Sequence, residues 1–163
     1  MEIRRIYEYA LQREHEGKRF FETNADRLSH AAAAGAFRQL AGEEQKHIDF
    51  IQGLLQALDQ GRSASSVVEE LQKEDSFFSR RAIAEGIEQT ISEAMVPDLP
   101  VLRMAYLIER DFAEFYDMAA ARAEGEGKEV LEMLAHWERG HEQLFKLLHD
   151  KAFELYADMP WGG

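Results

Sequence analysis

The sequence LAGEEQKH at residues 40–47 returns in altered form as LAHWERGH at residues 134–141. Both copies read Leu-Ala-x-x-Glu-x-x-His. Residues three apart lie on the same face of an α-helix, so each motif places a carboxylate beside an imidazole. The two pairs are Glu44 with His47 and Glu138 with His141. Such a pair can bind one metal ion, and its repetition makes a chance origin less plausible than it would be for one Glu-x-x-His.

The repeat extends upstream of both motifs. Glu14 aligns with Glu109, and the residues around them match as well. The aligned pairs are Ala10 with Ala105, Phe20 with Phe115, Phe21 with Tyr116, Ala25 with Ala120 and Arg27 with Arg122. This long period predicts two duplicated helical hairpins, each with one glutamate on its first helix and one Glu-x-x-His on its second.

Apolar residues recur at spacings of three and four, which is typical of amphipathic helices. The first helix is predicted from Glu2 to about Ser29, the hairpin turn near Ser29, and the end of the second helix at Gly61. Asp98 and Pro100 are a start signal for the third long helix. Gly125 and Gly127 are predicted to flank the second hairpin turn, and the last helix to end before Pro160.

The segment 61–98 has no second copy and is richer in serine and charge. We expect a partly helical crossover, with a capping box at Ser66 opening a short helix and Ser79 capping another that runs to about Met95. Phe77 and Phe78 are predicted to anchor it. Such a crossover lets the chain traverse a bundle between the second and third long helices. The sequence therefore predicts an all-α single domain, 1–163, folded as an antiparallel four-helix bundle.

In such a bundle, six residues can meet at one level of the core: Glu14, Glu44, His47, Glu109, Glu138 and His141. Two neighbouring dications repel each other at low dielectric, and four carboxylates balance their charge. Oxygen and imidazole donors without sulfur suit iron or manganese better than copper(I), with adventitious zinc as an alternative. A metal-free bundle in which these residues merely align is the competing interpretation.

The chain resembles the rubrerythrin-like branch of the ferritin-like superfamily of di-iron carboxylate proteins. The resemblance lies in a glutamate followed at seven by an aromatic residue and then by the Leu-Ala-x-x-Glu-x-x-His motif in each half. It implies a ferritin-like bundle in which the six residues bind two iron ions. It also implies that Tyr116 hydrogen-bonds to a ligand carboxylate.

Three departures from that family pattern affect the expected reaction. Phe21 stands where a first tyrosine is expected, and Phe112 stands where rubrerythrins often carry a further glutamate. A rubredoxin domain needs four cysteines, and this sequence has none, so an external electron donor protein is expected. By the same resemblance the protein is expected to be a homodimer.

Composition excludes several other classes of protein. The absence of cysteine excludes disulfides, thiolate zinc sites and iron–sulfur clusters. A net charge of −12 without a basic patch argues against nucleic acid or an anionic membrane as partner. The first residues have no apolar run of the kind found in signal peptides, so a cytoplasmic protein is expected.

Three functions are compatible with a dinuclear centre. The site can oxidise Fe(II) with peroxide or O₂, hydroxylate an organic substrate, or bind metal as a sensing module without turnover. The polar crossover disfavours the apolar channel that an oxygenase would need, so we favour the first. The four unmatched histidines, His15, His30, His136 and His149, are predicted to lie at the surface or at its edge.

Overall fold

A computed structural model describes residues 2–28, 31–73 and 99–158. The regular structure in these ranges is entirely helical, which confirms the all-α prediction. The helices are α1 (Ile3–Ala25), α2 (Ala31–Asp59), α3 (Ala64–Lys73), α4 (Leu99–Ala120) and α5 (Gly125–Ala157). Of the helices described, none is long and apolar enough to cross a membrane.

The four long helices form two hairpins that pack into one bundle. α1 packs along α2, and α4 packs along α5. Apolar side chains form two core clusters, and each long helix passes from one cluster to the other. α1 runs from the cluster of Ile6 to that of Phe21, whereas α2 begins in the cluster of Phe21 and ends in that of Ile6. The partners within each hairpin are therefore antiparallel, as predicted.

The polar residues of the repeat occupy the level between the two clusters. On α1, Ala10 belongs to one cluster and Phe21 to the other, and Glu14 lies between them. On each of the other three long helices, the site residues likewise lie between a residue of one cluster and a residue of the other. This arrangement leaves the six predicted site residues sealed at both ends by apolar layers.

The first hairpin turn comes earlier than predicted. α1 ends at Ala25 instead of near Ser29, and the backbone N–H of Arg27 bonds to the carbonyl of Asn24 at 3.0 Å. The Asn24 side chain competes for helix hydrogen bonds by donating to the carbonyl of Phe20 at 2.8 Å. Ser29 itself lies outside the described residues. At the far end of α2, Gly61 has a φ of 65° and ends the helix region as predicted.

The short helix α3 begins two residues before the predicted start at Ser66. Its first N–H group finds an acceptor on another helix, since the N–H of Ala64 donates to Oε2 of Glu126 at 2.9 Å. The hydroxyl of Ser65 donates to Oε1 of the same carboxylate at 3.0 Å. The predicted cap at Ser66 was therefore wrong: the hydroxyl oxygen of Ser63 accepts from the N–H of Ser66 at 3.4 Å, and a glutamate distant in the chain completes the cap.

The second hairpin turn is also shifted. α5 already begins at Gly125, whose φ is 58°, so Gly127 lies in the first turn of the helix and does not flank the loop. A Cβ at Gly127 would approach Ile3 Cδ1 to 3.0 Å. This glycine is explained by close packing of α5 on α1. The predicted helix from Ser79 to Met95, the Phe77 and Phe78 anchors and the Asp98 cap lie outside the described residues.

Candidate metal centre

All six residues singled out by the repeat are buried at one level of the bundle. Glu14, Glu44, His47, Glu109 and Glu138 have no exposed surface, and His141 is 3% exposed. One helix of each hairpin contributes a single glutamate, and the other contributes a Glu-x-x-His pair. The helical spacing of that motif aims both of its side chains inward.

The first group of possible metal ligands is Glu14, Glu44 and His47, whose donor atoms lie within 4.8 Å of one another. Nδ1 of His47 is 3.2 Å from Oε2 of Glu14 and 3.6 Å from Oε2 of Glu44. The same nitrogen is 3.0 Å from Oε1 of Glu138. Four side chains therefore converge on this position.

The second group is Glu44, Glu109, Glu138 and His141, again with donor atoms within 4.8 Å. Nδ1 of His141 is 3.4 Å from Oε2 of Glu109 and 3.7 Å from Oε2 of Glu138. It is 3.9 Å from Oε1 of Glu44. Glu44 and Glu138 thus each turn one oxygen to His47 and the other to His141, which is the arrangement required of two bridging carboxylates.

The donor set fits two divalent cations. Both oxygens of Glu44 and both of Glu109 accept no hydrogen bond from the residues that the structure describes. Burying a carboxylate without a partner costs several kcal/mol, so such groups persist where they bind a cation. Two dications would neutralise the four carboxylates and satisfy these oxygens, and oxygen with imidazole is a donor set that iron and manganese accept.

Electrostatics within the cluster are strongly coupled. Burial, together with the neighbouring carboxylates, raises the pKa of Glu44 and of Glu109 well above the usual range. Burial opposes the charged form of His47, but Glu138 and Glu14 raise its pKa well above the usual range. Burial alone would raise the pKa of Glu138, yet His47 and His141 hold it well below its ordinary value. Without metal the cluster therefore retains protons, and binding of cations must displace them.

Tyr116 links the two hairpins at this level. Its hydroxyl donates a hydrogen bond to Oε1 of Glu14, and its side chain is 1% exposed. Burial and the charge of Glu14 raise the pKa of Tyr116 well above the usual range, so it remains a donor. Phe21 occupies the equivalent position on α1 and stacks on Phe145, with ring centroids 5.5 Å apart. At this pair of equivalent positions the two halves of the site therefore differ by one hydroxyl group.

We expect Tyr116→Phe to retain two metal ions but to weaken binding by about 10-fold or more, because a residue that orients a ligand typically contributes that much. Competitive titration against a metal-chelating dye measures the change. Tyr7→Phe is the matched control, since Tyr7 is also buried but lies two helical turns from Glu14. Equal affinity in Tyr116→Phe and Tyr7→Phe would show that the hydrogen bond does not orient Glu14.

Sequence reasoning missed one aromatic neighbour of the site, Trp137, and singled out Phe112 only through the family resemblance. The indole of Trp137 stacks on His47, with centroids 5.3 Å apart and an interplanar angle of 18°. Phe112 packs beside Glu44 at the position of Gly17. The sequence signal for Trp137 was its place inside the second copy of the motif. The position of Phe112 beside Glu44, in contrast, depends on how α1 packs against α4.

The unmatched histidines lie away from the cluster. His15 and His136 are exposed, and His149 is partly buried beside Asp150, its Nδ1 lying 3.1 Å from the Asp150 carboxylate. His30 lies outside the described residues. These positions agree with the prediction that none of the described three belongs to the site.

A family model described as rubrerythrin matches residues 6–149. This range contains all six clustered residues and Tyr116. Searches of curated proteins and of solved structures give no match.

Proposed function

The chain belongs to the rubrerythrin family, and from this premise we propose that it is a non-haem di-iron oxidoreductase whose ferrous centre is oxidised by a small oxidant, hydrogen peroxide or O₂. One observation carries the proposal: Glu44 and Glu138 each face both imidazoles across a buried cluster of carboxylates without sufficient donors. That arrangement supports two adjacent cations more readily than one.

The side chains divide the two metal positions almost symmetrically. Glu14 and His47 would hold one ion, Glu109 and His141 the other, and Glu44 and Glu138 would bridge them. Iron is proposed because the resemblance to rubrerythrins implies it and because the donors are oxygen and imidazole. Manganese fits the same donors, and zinc would bind without supplying electrons.

When bound, two ferrous ions supply two electrons, one each, which with two protons convert hydrogen peroxide to two water molecules. The protein's own contribution is positional. Tyr116 fixes Glu14 by its hydrogen bond, and the apolar layers on both sides of the cluster exclude bulk water. Exclusion of water strengthens every electrostatic interaction within the site.

Electrons that return the centre to the ferrous state are proposed to come from a separate donor protein. The sequence contains no cysteine and therefore no iron–sulfur relay of its own. The proposed protein partners are thus an electron donor and a second copy of the chain, and the proposed location is the cytoplasm.

The oxidation reaction is tested by loading the metal-free protein with two equivalents of Fe(II) without oxygen and mixing it with hydrogen peroxide or O₂ in a stopped-flow instrument. Growth of near-ultraviolet absorption on a timescale of seconds or less, with consumption of one peroxide per two irons, is expected for the proposed reaction. Faster reaction with O₂ would assign a ferroxidase. A loaded centre inert to both oxidants would leave metal binding without the proposed activity.

Trp137 provides an internal reporter of metal binding. Because its indole stacks on His47, Fe(II) or Co(II) at that imidazole is expected to quench its fluorescence. The sequence has two tryptophans, so Trp161→Phe isolates the Trp137 signal and Trp137→Phe removes it. Quenching should persist in the first variant and vanish in the second. Quenching carried wholly by Trp161 would contradict metal binding at His47.

A further inference from the structure

The interface between α1 and α4, here called the seam, differs from the contacts within each hairpin. The two helices of a hairpin pack together along their length, whereas α1 and α4 approach closely over only a short stretch. Side chains therefore close this seam. At the level of the candidate centre, Phe112 is 2% exposed and fills this interface beside the hydrogen bond from Tyr116 to Glu14.

Phe112 reaches the cluster through a space that only a glycine leaves open. A Cβ on Gly17 would lie 2.9 Å from Cε2 of Phe112 and 3.7 Å from the carboxyl carbon of Glu44. The ring edge and the Glu44 carboxylate thus border the same small space, beside α1. The Phe112 ring consequently fills the space beside the carboxylate of Glu44, which faces both metal positions.

Arg13 covers the ring from the solvent side. Its guanidinium carbon lies 4.7 Å from the centroid of the Phe112 ring, and its side chain is 28% exposed. Nε of Arg13 is buried and has no hydrogen-bond partner among the described residues. From the solvent inward, this seam therefore contains first Arg13, then Phe112 and then Glu44. The guanidinium group of Arg13 is the polar donor at its outer end.

We propose that the oxidant reaches the centre through this seam, and that Phe112 restricts it to O₂, hydrogen peroxide or a hydroperoxide of similar size. The inference rests on the proposed function and names the substrate class of that site. A displaced phenyl ring can admit a molecule of two heavy atoms, whereas a branched alkyl group would need the whole volume of the ring. A closely packed pocket discriminates by about 10-fold or more for each poorly accommodated group.

The reaction used as a probe balances for any hydroperoxide. The O–O bond of ROOH breaks, two electrons come from two Fe(II) ions, and two protons complete ROH and water. With R as hydrogen the probe is hydrogen peroxide, and with R as tert-butyl it carries a branched group. The ratio of the two second-order rate constants reports access and cancels changes in intrinsic reactivity common to both.

The first test compares this ratio in the ferrous-loaded wild type, Phe112→Ala and Phe112→Leu. We expect the rate constant for tert-butyl hydroperoxide, divided by that for hydrogen peroxide, to be about 10-fold higher in Phe112→Ala than in the wild type. The ratio in Phe112→Leu should be intermediate, because leucine retains more of the apolar packing. Phe37→Ala is the matched control: Phe37 is equally buried, but it lies in the other core cluster with Phe21 and Phe145. An unchanged ratio in both Phe112 variants, or an equal rise in Phe37→Ala, would overturn the inference.

The second test measures access without turnover. Protein loaded with Co(II) is titrated with azide and with benzoate, and the visible cobalt spectrum reports binding. Phe112→Ala is expected to strengthen benzoate binding about 10-fold while leaving azide binding unchanged. Equal benzoate affinity in the wild type and Phe112→Ala would contradict the proposal that Phe112 restricts access through this seam.

The two tests separate failure of the inference from failure of the proposed function. If neither the hydroperoxides nor O₂ oxidise the ferrous centre in any variant, the oxidoreductase proposal fails, and the benzoate comparison alone decides whether Phe112 controls access. If both hydroperoxides react and neither the ratio nor benzoate binding responds to Phe112, the proposed function stands and the entry route is wrong.

Discussion

Replacing His141 by alanine is expected to leave the bundle helical and to reduce binding from two metal ions per chain to at most one. His141 and Glu109 face only the second metal position, so their loss removes that position's terminal ligands. Glu109→Ala is expected to act in the same way. Metal content after gel filtration measures the stoichiometry, and far-ultraviolet circular dichroism measures the helix content.

His149→Ala is the matched control for this prediction. His149 lies two helical turns beyond His141 on α5, is partly exposed and contacts Asp150. Its removal should leave two ions bound. Retention of two tightly bound ions by His141→Ala and by Glu109→Ala would show that these side chains are not ligands.

Replacing Glu109 by leucine is expected to stabilise the metal-free protein while abolishing dinuclear binding. Glu109 is fully buried, and its oxygens accept no hydrogen bond from the described residues. A buried carboxyl group without a hydrogen-bond partner carries a desolvation cost of about 1–3 kcal/mol, and an apolar side chain of similar size removes this cost. In a chain of this size each kcal/mol raises Tm by roughly 2–4 °C.

Added metal should make the wild type more stable than Glu109→Leu. A cation that binds only the folded state stabilises it in proportion to the logarithm of its concentration over its Kd. The Tm of the wild type should therefore rise with Fe(II) or Mn(II), and that of Glu109→Leu should rise much less. Glu114→Leu, an exposed glutamate on the same helix, controls for the substitution itself and should change stability by no more than about 0.5 kcal/mol. A metal-free Glu109→Leu protein less stable than the wild type would contradict the view that this carboxylate is retained for binding.

The fold and the cluster of six residues could be predicted because both depend on local periodicity. Helical spacing fixes which side chains share a face, and the duplicated motif shows that Glu44 and Glu138 serve equivalent places. Burial of all six follows from their position in the apolar pattern. None of this required knowledge of which helix faces which.

The features that were missed depend on contacts between distant parts of the chain. Glu126 helps to cap the start of α3 from another helix, and Gly127 lies where α5 packs closely against Ile3 of α1. The place of Phe112 against Glu44 likewise depends on the approach of α1 to α4 at Gly17. A sequence read locally contains the residue types for these contacts but not their partners.

We propose that one buried cluster binds two metal ions bridged by Glu44 and Glu138. The most direct test is an anaerobic titration of metal-free protein with Fe(II), followed by Trp137 fluorescence in the Trp161→Phe variant and by native mass spectrometry. We predict a break at about two ions per chain, the stoichiometry of a dinuclear site. Saturation at one ion, or no saturable binding, would contradict the claim.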